Sequence, residues 1–299
     1  MALKPCCVMK TEKIVILANA ASRTLNRAEL AATAGHINRF LPCETVFTTS
    51  IENACETACR LSADPACLVA ACGGDGTIHT VINSVVPEAI TGIIPAGTAN
   101  VIARELGIPV QMREAGKLLL TGAAQKCDLG TCNGRKFVFV AGIGFDAVVA
   151  GAVSPTLKKL FGRYAYHIAG LQQFCFYRPP VLSVRVDDRT EEFTGHFAIF
   201  ANMRRYGGDL FFAPEARYDD GILNMVLVED FSMRTMLRLL NFARRNGRQP
   251  PQGVRMLTGR KFHVRASQPT PYQLDGEVFA ATSEFTIGLA EHQARLITS

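Results

Sequence analysis

Gly73-Gly74-Asp75-Gly76-Thr77 decides the reading of this chain, because it follows the apolar run Ala66 to Cys72 and precedes apolar residues at helical spacing. A glycine-rich turn therefore joins a buried strand to a helix. Glycines let the backbone approach a ligand closely, and the start of the following helix offers unpaired N–H groups to an anion such as phosphate. Asp75 is a carboxylate in that anion-binding loop, which makes sense if a divalent cation sits between it and the phosphates. The plainer alternative is a tight strand-to-helix turn with Asp75 as the helix cap.

A second segment, Ile94-Pro95-Ala96-Gly97-Thr98-Ala99-Asn100, again ends an apolar strand and starts a helix. Turns from neighbouring parallel strands share one edge of the sheet, where ligands bind α/β folds. Thr98 and Asn100 are then candidates for phosphate or ribose contacts, the alternative being Thr98 as the cap of an Ala99–Leu106 helix. Around these loops, Ile14–Ala18, Thr45–Thr48, Leu68–Cys72 and Gly92–Ile94 read as strands, alternating with helices near 28–40, 52–61, 78–85, 101–106 and 113–120. This order predicts a largely parallel α/β domain over residues 1–122.

From residue 123 to 299 the pattern becomes β-rich, with strands expected at Lys136–Ala141, Val181–Val186, Phe193–Ala201, Ile222–Val228, Lys261–Ala266 and Glu284–Leu289. Helices are expected at Thr156–Phe176 and Ser232–Arg245. The second domain is thus larger and mainly antiparallel, with the last strand free to return to the first domain. The cleft between the domains is the expected ligand site.

With 48% hydrophobic residues the chain can bury a large core, and its net charge of +6 favours anionic ligands without reaching the level of a nucleic-acid binder. The ten cysteines contain no Cys-x-x-Cys pair, so neither a zinc site nor a disulfide scaffold is expected. A reduced, cytoplasmic setting fits, since the N-terminal residues lack a secretory apolar core. No uncharged stretch is long enough to span a bilayer, so membrane contact is expected to be peripheral, at the inner face.

Together the loops resemble the diacylglycerol kinase catalytic domain family, which includes soluble bacterial lipid kinases and is related to sphingosine kinases. The resemblance rests on Asn19–Arg23, the Gly73–Thr77 loop, Pro95–Asn100, Asp128-Leu129-Gly130, Gly142–Asp146, Asp219-Asp220-Gly221 and Leu274-Asp275-Gly276-Glu277. It implies an NAD-kinase/diacylglycerol-kinase-like α/β fold and an ATP-dependent transfer of the γ-phosphate to a lipid hydroxyl. By resemblance, Gly73, Gly74, Asp75, Gly76, Thr77, Ile78, His79 and Thr80 bind the ATP phosphates, with Gly97, Thr98 and Asn100 assisting and Thr48 touching the nucleotide. Asp75 holds Mg2+ through water. Glu277 is the general base, with Asp275 beside it as support or as the alternative base. A structural Mg2+ is held by the Asp220 side chain and by main-chain oxygens of Arg217 and Ile222, and Asp128 joins the acidic network. A lipid is the substrate, and a homodimer is compatible with the sequence.

The chain departs from the family pattern where His79-Thr80 stands for Asn-Glu, where Asn100-Val101 stands for Asn-Asp, and where Asn19–Arg23 lacks the usual proline and glycine. Two other readings compete: NAD-kinase-like phosphorylation of a soluble nucleotide, and a non-catalytic nucleotide- or lipid-binding protein. Gly142-Ile143-Gly144-Phe145-Asp146-Ala147 also fits a dinucleotide-binding pattern, but no acidic residue follows before Val186, so it reads as a cleft-lining turn. For membrane contact, Arg234, Arg238 and Arg245 line one side of the 232–248 segment, with Met233, Met236, Leu237, Leu240 and Phe242 on the other; Lys158, Lys159, Arg163, Tyr164 and Tyr166 form a second basic-aromatic group. An ordinary helix packed on its sheet with a solvated basic face is the plainer and favoured reading of the first.

Overall fold

The computed structural model describes residues 11–153, 165–207 and 210–299. The chain divides into two compact units, the first formed by the chain to Cys127 together with His292–Ser299, the second by Asp128–Glu291. The change of pattern at residue 123 falls just before this division, because the strand Ala123–Cys127 pairs within the first unit.

In the first unit the elements run β1 (Lys13–Asn19), α1 (Arg27–Ile37), β2 (Cys43–Thr48), α2 (Ile51–Ser62), β3 (Cys67–Gly73), α3 (Asp75–Ser84), β4 (Ile90–Pro95), α4 (Val101–Glu105), α5 (Met112–Thr121) and β5 (Ala123–Cys127). The last strand of the chain, β16 (Ala294–Thr298), completes a six-stranded sheet in the order β2-β1-β3-β4-β16-β5. Strands β1 and β3 are apolar almost throughout because helices cover both faces of a parallel sheet. Alternate residues serve opposite faces: Ile14, Ile16 and Ala18 of β1 join Leu30 and Ile37 of α1 and Leu119 of α5 in one core. Asn26 and Ser50 cap α1 and α2 through their side-chain oxygens, which fixes where each helix begins.

The second unit holds β6 (Gly130–Cys132), β7 (Arg135–Phe137), β8 (Val140–Ile143), α6 (Phe145–Ala152), α7 (Ala165–Phe174), β9 (Leu182–Val186), β10 (Glu192–Gly195), β11 (Phe197–Ala201), β12 (Leu223–Val228), α8 (Met233–Arg244), β13 (Val254–Gly259), β14 (Lys261–Leu274) and β15 (Glu277–Leu289). Its strands pair antiparallel along β13-β12-β11-β8-β14-β15-β6-β7, with β9 on β14 and β10 on β9. Strand β14 changes partner along its length, from β9 to β8, and its register shifts where Pro269 and Pro271 cannot donate to a ladder.

Two expected strands are each divided. Lys136–Ala141 is β7 and β8, interrupted at Val138-Phe139, and Phe193–Ala201 is β10 and β11, separated at His196, whose N–H bonds Val228 instead. Asn133 and Gly134, with φ of 50° and 79°, make the tight β6–β7 hairpin. Residues 154–164 lie outside the described residues, and with them the start of the expected Thr156–Phe176 helix and Lys158, Lys159, Arg163 and Tyr164. Helix α8 buries Leu239, Phe242 and Ala243, while Met233 and Leu237 are exposed beside Arg234 and Arg238. Its apolar residues are therefore divided between the core and solvent rather than gathered on one free face.

Gly130 sits where a Cβ would lie 2.0 Å from the ring of Phe137, which is itself fully buried. Replacement Gly130→Ala is expected to cost about 1–3 kcal/mol by overpacking. Urea unfolding should give a lower midpoint with an unchanged slope.

Candidate active site

The strand order of the first unit reverses between β1 and β3, since β1 is followed on one flank by β2 and bounded on the other by β3. Loops leaving the carboxyl ends at such a reversal diverge and leave a crevice. Asn19–Ser22, Thr48–Ser50, Gly73–Gly76 and Pro95–Asn100 all leave from this edge. Thr48 is buried at the end of β2, with its hydroxyl directed to the Ala18 carbonyl.

The two glycine loops touch backbone to backbone. A Cβ at Gly97 would lie 2.5 Å from the Gly74 Cα, and one at Gly73 would meet the Thr77 side chain at 2.5 Å. Neither position has room for another residue. Asn100 holds the second loop closed: in the left-handed conformation at φ 48°, its amide accepts from the Gly97 N–H and donates to the Gly97 carbonyl, both at 2.9 Å. Asn100 itself precedes α4, so Thr98 does not cap that helix; Thr98 is exposed.

Asp75 does not cap its own helix either. Its Oδ1 accepts from the Ile102 N–H at 3.1 Å, reaching across to the first turn of α4. Among the described residues no side-chain hydrogen bond caps α3, whose N-cap is Gly74 and whose first turn carries Asp75, so the N–H groups at the positive end of that helix are not taken by a capping side chain. Thr80 spends its hydroxyl on the Gly76 carbonyl and His79 bonds Asn83.

In the second unit, Asp275 and Gly276 form the turn between β14 and β15, with φ of 50° and 91° and with Leu274 paired to Glu277. Positive φ at both central residues is the type I′ hairpin geometry. The Asp275 carboxylate accepts three main-chain N–H groups, from Val138 at 2.6 Å and from Phe139 and Val140 at 2.9 Å. These bonds are the reason the expected strand is interrupted between β7 and β8. Glu277, two residues on, is exposed, and its carboxylate has no partner among the described residues. The two carboxylates therefore have different capacities: Asp275 is committed to the backbone, and Glu277 is free to take a proton.

A third acidic group lies around the Arg217–Ile222 turn. Asp128 accepts from the Gly221 N–H at 2.7 Å and its own N–H donates to the Tyr218 carbonyl at 2.6 Å. Asp220 accepts from Ile222 at 3.1 Å. Burial, aided by the charges of Asp128 and Asp219, pushes the Asp220 carboxyl above its ordinary value. Asn202, wholly buried, donates to the carbonyls of Asp128 and Val138, and its own Oδ1 has no partner among the described residues. Crowded negative charge and an orphaned oxygen acceptor fit a hard cation with oxygen ligands. Among the described residues no three His, Cys, Asp or Glu side chains are grouped to hold one, so main-chain oxygens would have to contribute.

Two family models tile the chain: that of the diacylglycerol kinase catalytic domain matches residues 13–132, and that of the YegS C-terminal NAD kinase beta sandwich-like domain matches residues 139–287. The chain belongs to the diacylglycerol kinase family. The activity that goes with membership is ATP-dependent phosphorylation of a lipid, an alcohol group being the acceptor. A diacylglycerol kinase of Bacillus subtilis (strain 168) is 29% identical over 216 residues, covering 70% of this chain and 71% of that protein. The crystal structure of a diacylglycerol kinase from Bacillus anthracis str. Sterne superposes with a TM-score of 0.77 at 18% identity, covering 97% of this chain and 98% of the other. An NAD kinase from Archaeoglobus fulgidus in complex with ATP reaches a TM-score of 0.50 at 11% identity, with 96% and 93% covered, a likeness of fold alone.

In this lipid kinase the residues that sequence reasoning missed are Tyr206, Gln273 and Asn202, together with the buried role of Asp146, which the sequence shows only as the end of the Gly142–Asp146 segment. Asp146 is buried at the start of α6, where its carboxylate accepts from the Tyr206 hydroxyl and from Gln273 Nε2, the latter at 2.8 Å. A Cβ at Gly142 would lie 1.7 Å from that carboxylate, so the glycine pattern at 142–147 makes room for a side chain of the protein rather than for a dinucleotide. The signal was present as a glycine four residues before an aspartate, without anything to say that the aspartate turns back onto it.

Replacing Asp275 by alanine strands three backbone donors, and Asp275→Ala is expected to lose about 3–5 kcal/mol of stability in denaturant unfolding, with Asp275→Asn intermediate. Asp146 supplies a pH test. Burial raises its carboxyl above the ordinary 3.8, outweighing the bonds from Tyr206 and Gln273. An aspartate raised in the folded state favours folding below that ordinary value and loses this contribution as pH climbs through its native pKa. Wild-type stability measured against Asp146→Asn should therefore fall as pH rises above 3.8 and then level off.

Proposed function

We propose that the acceptor is a hydroxyl of diacylglycerol or a closely related lipid, the acceptor named in the relative from Bacillus subtilis. The ATP phosphates lie against the N-terminus of α3 and the paired glycine loops, within reach of Gly73 to Thr80, Gly97, Thr98 and Asn100, with Thr48 at the nucleotide. The observation that carries this reading is the backbone contact of Gly74 with Gly97 beside a helix end that no side chain caps, a surface of main-chain donors suited to phosphate oxygens. Asp75, fixed by Ile102, is the residue that faces Mg2+ through water. Mg2+ when bound neutralises charge on the phosphates. A structural Mg2+ is assigned to Asp220 with the main-chain oxygens of Arg217 and Ile222, beside Asp128.

Glu277 takes the proton of the attacking hydroxyl, being the carboxylate of its turn with no competing partner. Asp275 is a positioning residue that holds the turn. No helix among the described residues is long and apolar enough to cross a membrane. Contact with the bilayer is proposed at the end of α7 and the start of α8, where Phe174 stacks on Phe231 and Leu171, Phe176 and Leu237 are exposed beside Arg178 and Arg234. The placement is cytoplasmic, at the inner face. A homodimer could use the open edge of β2, where Phe40 and Phe47 are exposed.

The test is transfer of labelled phosphate from ATP into a mixed lipid extract, with NAD as a competing acceptor. Phosphatidic acid should be the labelled product. Glu277→Ala should lower transfer by about 10²–10⁴-fold, the usual worth of a general base, with an unchanged unfolding profile, and Asp75→Ala should also lose it while remaining folded. Equal labelling by wild type and the two variants would remove those roles, and a different labelled lipid would replace diacylglycerol as the acceptor.

A further inference from the structure

A buried polar chain runs from Tyr206 through Asp146 and Gln273 to the turn that carries Glu277. The Tyr206 hydroxyl and the Gln273 amide both reach the Asp146 carboxylate, and Gln273 Oε1 accepts from the Gly276 N–H at 2.7 Å. Gln273 is 1% exposed and stands in β14 opposite Gly142 of β8 and Val278 of β15. Polar groups in such a position are costly unless each is satisfied, and an apolar pair would fill the space at lower cost. The chain nevertheless continues to one destination, the main-chain N–H next to Glu277.

We propose that Asp146 and Gln273 are positioning residues for Glu277, setting the main-chain conformation from which its otherwise untethered carboxylate projects. This rests on the reading of Glu277 as the general base. A carboxylate is the right partner for the purpose. Asp146 accepts from Gln273 Nε2, so it faces the NH2 end of the amide and leaves the oxygen end to face Gly276. Tyr206 occupies the other oxygen and prevents the carboxylate from turning. Asp275 holds the same turn from its other central residue through Val138, Phe139 and Val140. The hairpin is thus fixed at both of its central residues, by two independent sets of bonds, while the Glu277 carboxylate has no bond of its own among the described residues.

The proposal predicts coupling between positions 273 and 277 in turnover. Labelled ATP and diacylglycerol in mixed detergent micelles serve as substrates for wild type, Gln273→Leu, Glu277→Ala and the double variant, each checked by thermal unfolding. Gln273→Leu should lower kcat at least tenfold with the KM for ATP within twofold of wild type, and should have no further effect in the Glu277→Ala background. Asp146→Leu should lose kcat likewise. Asp146→Asn should recover most of that loss, because an amide can present its oxygen to Gln273 and its nitrogen to the Tyr206 oxygen. A folded Gln273→Leu with wild-type kcat, a loss that multiplies with that of Glu277→Ala, or equal losses for Asn and Leu at position 146 would overturn the proposal. Full turnover by Glu277→Ala would strike the general-base reading and the proposal with it. Full turnover by Gln273→Leu beside an inactive Glu277→Ala would strike the proposal alone.

Discussion

The Asp275 carboxylate, taking three consecutive main-chain N–H groups from Val138, Phe139 and Val140, is the interaction on which the second unit's arrangement turns. Val138 and Phe139 lie between β7 and β8 and Val140 opens β8, so without this acceptor their N–H groups would be buried donors with nowhere to go. One side chain satisfies them and at the same time fixes the hairpin whose next residue is Glu277. Asp275 meets this structural requirement, while Glu277, two residues on, is left exposed.

The same device recurs along the chain. Asp75 reaches Ile102 of α4, Asp128 reaches Gly221, and Asp187 takes the N–H groups of Arg260 and Lys261. In each case a short acidic side chain joins main-chain donors distant in sequence, which is stronger than a neutral hydrogen bond because the acceptor is charged. Glycine contributes the complementary feature: Gly73, Gly97 and Gly142 keep space that any Cβ would take, from Thr77, from the Gly74 backbone and from the Asp146 carboxylate respectively. Loops that a pattern search reads as flexible are here among the most constrained parts of the molecule.

Much of this was legible before any coordinates. The glycine loops after apolar strands gave the parallel sheet, the order of its elements and the edge from which the loops leave, because a buried strand and an amphipathic helix leave distinct periods in the sequence. The order of the loops also gave the family. The Leu274–Glu277 turn was read both as a hairpin and as the source of the base, and Asp-Gly does form a hairpin with positive φ. The Asn133-Gly134 hairpin carries an equally strong local signal, and it lies just before the expected Lys136–Ala141 strand, outside every expected element.

What the sequence by itself determined is therefore local: which segments are strands or helices, where the backbone needs glycine, and which residue types gather at the turns. Only the tertiary structure decided what each carboxylate is for, since Asp75, Asp128, Asp146 and Asp275 all find partners at least 27 residues away. A side chain's role follows from what it can reach, and nothing in the spacing of one-dimensional motifs fixes a hydrogen bond between segments that meet only once the sheets have formed. The divided strands follow the same rule: local β propensity runs unbroken through Val138 and Phe139, and a bond from a residue far downstream ends it.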